Sequence, residues 1–157
     1  MKRAWSRRAL LGTAASAVVT AILAACSSKG ESAAVGAKVT VGTVSDIQAS
    51  LATQKFVRSA EGKVFLLPAA ADAAIAVSWR CTHQGCTVHD PDPQKGTISC
   101  PCHGAVYDAR TGIVTAGPAP RPLDYLPITI TDGNVVVDTG RIMQRATFDA
   151  SQVTRFV

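Results

Sequence analysis

Cys81-Thr82-His83-Gln84-Gly85-Cys86 and Cys100-Pro101-Cys102-His103-Gly104 are the two stretches from which this chain is best read. Each offers one thiolate and one imidazole, plus one extra cysteine. Two cysteines and two histidines on paired loops suit a [2Fe–2S] cluster with unequal ligation. One iron takes two thiolates and the other takes two imidazoles. Zinc also accepts two cysteines and two histidines in a tetrahedron. Zinc fingers, however, usually keep Cys-x-x-Cys in one arm and His-x-x-x-His in the other. Here both arms are mixed, and each carries a further cysteine close to a ligand candidate, so zinc is the weaker reading.

The chain resembles the Rieske iron–sulfur proteins at these residues, and specifically their respiratory-type, disulfide-containing branch. That family reads C-T-H-x-G-C, then a spacer, then C-P-C-H-G. The resemblance implies that Cys81 and Cys100 ligate one iron while His83 and His103 ligate the other. It also implies a disulfide between Cys86 and Cys102 that ties the loops together. A third, Gly-Pro-rich loop covers the cluster in the family, and Gly117-Pro118-Ala119-Pro120-Arg121-Pro122-Leu123 looks like that loop. The close match spans roughly the middle third of the chain. It implies one [2Fe–2S] cluster per chain and a one-electron transfer role, with no catalytic residue in the chain itself.

Two departures from the family pattern bear on function. High-potential members continue as Ser-x-Tyr after the second glycine, and both hydroxyls donate to sulfur. This chain reads Gly104-Ala105-Val106-Tyr107, keeping the tyrosine and lacking the serine. One donor to the reduced cluster is lost, which implies an intermediate potential within the Rieske range. Quinol–cytochrome reductase subunits commonly carry leucine where this chain has Gln84. A polar residue there favours a stand-alone exported carrier over a docked subunit.

The chain has 157 residues, enough for one domain, and a formal charge of +5. Four of its 16 basic residues, Lys2, Arg3, Arg7 and Arg8, lie at the very start. The remaining 12 nearly balance 11 acidic residues, so no basic face is implied and a nucleic-acid partner has no support. Nothing resembles a Ser/His/Asp triad or a phosphate-cradling glycine loop. His89, Asp90, Asp92 and Asp108 read as ordinary loop and turn residues.

Five cysteines leave Cys26 over once two ligands and one disulfide are assigned. Its neighbours account for it. Residues 1–8 are basic and residues 9–25 small and apolar, a secretory pattern. Ser6-Arg7-Arg8-Ala9-Leu10-Leu11 resembles a twin-arginine signal, which exports folded proteins. Leu23-Ala24-Ala25-Cys26 looks like a bacterial lipobox. Residues 1–25 are therefore expected to be a signal peptide, with Cys26 lipidated and residues 27–37 a flexible tether. Such a tether reaches about 18 Å on average and about 38 Å at full stretch. An uncleaved membrane anchor is the rival, but it leaves Cys26 unexplained.

The rest reads as short strands separated by turns. Strands are expected over 38–44, 64–67 (stopped by Pro68), 74–79, 97–99, 105–107, 113–115, 126–131 and 135–138. Asp132-Gly133-Asn134 is a hairpin signal between the last two. No window shows a long helical period. The expected fold is an all-β, Rieske-type antiparallel sandwich over 38–157, with a loop-rich cluster-binding subdomain at about 80–123. Residues 141–157 read equally as a last strand, a short helix or a flap.

The function expected is one-electron transfer at the outer face of a bacterial membrane, to an unidentified redox partner protein or membrane quinol, with a lipid anchor. The alternatives are a quinol–cytochrome c reductase subunit and the small subunit of an exported molybdenum oxidase.

Overall fold

The computed structural model describes residues 38–156. The twin-arginine stretch, the lipobox with Cys26 and the tether lie outside the described residues.

Eleven strands among the described residues form three antiparallel sheets. In the base sheet, β1 (Lys38–Thr43) pairs β10 (Asn134–Asp138), which pairs β9 (Ile128–Thr131). The central sheet runs β11 (Thr154–Arg155), β4 (Ala73–Ser78), β3 (Val64–Ala70), β2 (Val57–Ser59). In that sheet β8 (Tyr125–Leu126) also pairs with β4. The third sheet is β5 (Thr97–Ser99), β6 (Val106–Asp108) and β7 (Val114–Ala116).

The central sheet explains why β3 and β4 read as unbroken apolar runs. All six residues of β4 are buried. Phe65, Leu67, Ile75 and Val77 join a core with Ile98, Tyr107, Cys81 and Cys100. Their alternates Val64, Leu66, Ala74 and Ala76 join a second core with Val135, Val137, Ile47 and Leu51. A sheet covered on both faces needs apolar residues at every position rather than every second one. One of those faces carries the metal-site loops.

Two expectations need correction. The expected first strand includes Val44 and no long helical period is expected, but β1 ends at Thr43 and Val44–Gln54 is an α-helix, α1. Thr43 caps it, accepting from the Asp46 N–H at 3.2 Å, and Asp46 puts a carboxylate in the first turn. Ile47 and Leu51, one turn apart, are its buried residues. Pro68 does not stop β3, which runs on to Ala70. Pairing with β2 ends at Leu66, so Pro68 lies where β3 has only β4 beside it, a position that tolerates a missing N–H. The tail holds both a strand and a short helix: a 3-10 turn at Ala150–Gln152, then β11 against Ala73 and Ala74.

Candidate metal centre

The two cluster-motif loops close in the same way. In the first, the Cys81 N–H donates to Cys86 O at 2.8 Å and the Gly85 N–H to Cys81 O at 2.9 Å. In the second, the Cys100 N–H donates to Ala105 O at 2.8 Å and the Gly104 N–H to Cys100 O at 3.2 Å. Each loop therefore starts on a cysteine and turns on a glycine four residues later. Gly85 and Gly104 have φ of +78° and +71°, a backbone region that side chains disfavour. β4 leads into the first loop, and β5 and β6 flank the second.

This pairing brings the expected residues together. The His83 and His103 rings stand 4.8 Å apart, edge to face. Cys81 and Cys100 are free thiols, both buried. Cys86 and Cys102 form the disulfide that joins the loops. The sulfurs of Cys86, Cys100 and Cys102 lie within 4.8 Å of one another, but two of the three are spent on that bond, so Cys100 supplies the only free thiol of the three.

The third loop lies against the second. A Cβ on Gly117 would sit 2.5 Å from Gly104 O and 2.7 Å from the Ala105 Cα, so only glycine allows this approach. Ala119 is buried while Pro118 and Pro120 are exposed. The Thr82 hydroxyl donates to Arg121 O at 2.6 Å, tying the first loop to the third. Arg121 in turn pairs with Asp124.

Tyr107 and Ala105 sit in the same core as the two free cysteines. The Tyr107 hydroxyl lies 3.2 Å from Cys81 Sγ and accepts from the Thr82 N–H at 3.1 Å. Burial, with the Cys81 contact, pushes its phenol up to about 12. Burial also pushes the Cys81 thiol up, but the Tyr107 hydroxyl and the His83 and Gln84 N–H groups outweigh it and leave the thiol below its ordinary value. Cys100 is pushed up, by burial and by its neighbour Cys81. Gln84, His103 and His89 are exposed.

Two features were not expected from the sequence. Thr82 ties the first loop to the third through Arg121 and to β6 through Tyr107, and its place inside the motif was the available signal. Arg145 is buried behind the third loop, and nothing in its local sequence marks it.

The residues fit an iron–sulfur cluster. Nδ1 of His83 is buried without a hydrogen-bond partner, which costs free energy unless another group takes up the lone pair. Cys81 and Cys100, both buried and outside the disulfide, add two soft sulfur donors of the kind iron–sulfur clusters take.

An antiparallel β-sandwich with two Cys/His loops under a Gly-Pro loop defines the class: a small iron–sulfur domain. The Rieske [2Fe-2S] domain model matches residues 37–129, and the chain belongs to that family. It is 48% identical over 62 residues to the cytochrome b6-f complex iron-sulfur subunit of Chlorobaculum tepidum, covering 40% of this chain and 33% of that protein. It is 39% identical over 70 residues to the cytochrome bc1 complex Rieske iron-sulfur subunit of Corynebacterium diphtheriae, covering 44% of this chain and 17% of that protein. The matched segment thus spans a third or less of these relatives. Among solved structures, the cyanobacterial plasma membrane Rieske protein PetC3 from Synechocystis PCC 6803 superposes with a TM-score of 0.50 and 33% identity, covering 64% of this chain and 98% of that one.

Proposed function

We propose that Cys81 and Cys100 hold one iron of a [2Fe–2S] cluster, that His83 and His103 hold the other, and that the chain carries single electrons at the outer face of a bacterial membrane. The observation that carries this reading is the buried, unpartnered His83 Nδ1, with the His103 ring 4.8 Å away and the buried free thiols of Cys81 and Cys100 at the starts of the same two loops. When bound, the cluster supplies a one-electron acceptor.

The chain's own residues set its ease of reduction. Two thiolates and two neutral imidazoles contribute a charge of −2 where four thiolates would contribute −4. The smaller negative charge favours the reduced state. The Tyr107 hydroxyl, itself accepting from the Thr82 N–H, lies 3.2 Å from the Cys81 sulfur, and a donor aimed at sulfur stabilises the added electron. Cys81 and Cys100 are themselves buried, which keeps water from their sulfurs. His103 is exposed and gives an electron a short way out to a docked partner.

Export and anchoring rest on the sequence: a twin-arginine signal over residues 1–25, a lipidated Cys26, a tether to residue 37 and the domain over 38–157. Among the described residues no helix is long and apolar enough to cross a membrane. The partner is a redox protein or a membrane quinol. A second reading, the Rieske subunit of a quinol–cytochrome reductase, is supported by the names of the b6-f and bc1 relatives. The exposed Gln84 favours the stand-alone carrier.

Potentiometric titration tests the ligand assignment. The wild-type protein should titrate as a one-electron couple. His83→Cys or His103→Cys, each adding a negative ligand, should lower the potential of any cluster retained. An unchanged potential with an intact cluster would exclude that histidine as a ligand.

A further inference from the structure

Arg145 lies beyond residue 129, where the match to the family model ends. Its side chain is buried, at 7% exposure, and its guanidinium points into the turns behind the metal centre. Nε donates to Leu123 O at 2.8 Å, Nη2 donates to Thr111 O, and Nη1 donates to the Gln152 side-chain oxygen at 2.7 Å. Leu123 ends the cluster-covering loop, and its own N–H donates to Gly112 O at 3.0 Å. Gly112 makes room for the clamp: a Cβ there would lie 2.6 Å from Arg145 Nη2.

The segment that carries Arg145 is fastened on both sides. Met143 exchanges backbone hydrogen bonds with Tyr125 at 2.9 and 3.0 Å. Further on, β11 pairs with β4, and the Phe156 N–H donates to Asp72 O at 2.7 Å. Burying a guanidinium is costly, and burial lowers its pKa to about 10 against the nearby Asp124 carboxylate. An apolar side chain would fill the space without that cost. What only arginine supplies is a rigid fork of donors, here spent on acceptors from three separate segments.

We propose that Arg145 is a positioning residue for the cluster site, fixing the end of the 117–123 loop to the β6–β7 turn so that the loop stays closed over the metal. The proposal rests on the cluster reading given above. The loop is then held at three points: Gly117 against the Gly104–Ala105 backbone, Arg121 on Thr82, and Leu123 on Arg145. The tail serves as a strap for the metal site as well as an edge of the central sheet.

Two measurements on the full-length protein test this. The first is amide hydrogen exchange at Leu123. The second is the rate of iron release to a chelator, well below the unfolding temperature. Arg145→Gln should speed both by roughly tenfold or more, since it removes charge-assisted bonds to the loop. Arg145→Lys keeps the charge but lacks the fork, and should behave nearly as Arg145→Gln does. Phe156→Ala loosens the tail on β4 without touching the loop, and should leave iron release within about twofold of wild type at matched thermal stability. Unchanged Leu123 exchange in Arg145→Gln would overturn the proposal. So would wild-type rates in Arg145→Lys, or iron release as fast in Phe156→Ala as in Arg145→Gln. A wild-type protein that binds no iron would sink the cluster reading alone, because Leu123 exchange still reports on the clamp.

Discussion

At the scale of single residues, Tyr107 couples the fold to the redox chemistry. Its hydroxyl carries one proton and meets Cys81 Sγ, the Thr82 N–H and the Thr82 hydroxyl within 3.2 Å. The Thr82 hydroxyl is committed to Arg121 O, so toward Tyr107 it can only accept. The tyrosine proton is therefore shared between a sulfur and an oxygen. A hydrogen bond to a charged group is worth about 1.5–3 kcal/mol. At about 59 mV per tenfold for one electron, Tyr107→Phe should lower the potential by roughly 60–130 mV, toward the smaller figure because the proton is shared. Ala105→Ser should raise it by about 60 mV at most. Ala105 is fully buried, and a new hydroxyl must find its rotamer in packed surroundings. A protein-film potential unmoved by both changes, with the cluster intact, would mean that neither position faces a sulfur.

At the scale of elements, the β6–β7 turn shows how the site is stiffened. Asp108 Oδ1 accepts from the Arg110 N–H, the Thr111 N–H and the Thr111 hydroxyl at 3.0, 2.8 and 2.6 Å. Burial pushes its carboxyl up, but these bonds outweigh burial and hold it below the ordinary carboxylate range. A carboxylate with a depressed folded pKa contributes stability that is fully present above its unfolded pKa of about 3.9 and is lost as pH falls through the folded value. Acid unfolding followed by near-ultraviolet circular dichroism should therefore steepen below about pH 4. Asp108→Asn should be less stable at pH 7 and should lose part of that acid dependence; an identical acid profile would remove Asp108 from the account.

Legibility in the sequence varied from element to element for physical reasons. β5 was read to the residue because Thr97–Ser99 is bounded by Gly96 and the motif cysteine. The hairpin over β9 and β10 followed from Asp132 and Gly133, both at positive φ. Helix α1 is hidden in the sequence because Val44, which packs partly against the core, reads as the end of the Val39–Val41 strand, leaving Ile47 and Leu51 as its two fully buried residues. β3 was cut short at Pro68 because the absence of a second neighbour there is a tertiary fact. In the site, the Cys86–Cys102 disulfide and the approach of His83 to His103 were legible because the two motif arms repeat one cysteine-to-glycine turn. Arg145 was not, because its two backbone acceptors, Leu123 and Thr111, lie 22 and 34 residues away in the chain.

At the scale of the whole molecule, the central β3–β4 sheet separates two tasks. One face packs on the base sheet and α1, and the other supports the three loops. If Cys26 is lipidated, mature protein should begin there and partition into detergent, and Cys26→Ser should leave an uncleaved precursor. An intact N-terminus on the wild-type protein, read by mass spectrometry, would favour a membrane anchor instead. The central claim is a [2Fe–2S] cluster held by two cysteines and two histidines. Its most direct test is iron and labile-sulfide analysis of the purified protein, joined to electron paramagnetic resonance of the reduced form. The account predicts about two irons and two sulfides per chain, and the low average g-value of mixed nitrogen–sulfur ligation. Stoichiometric zinc without labile sulfide would contradict it.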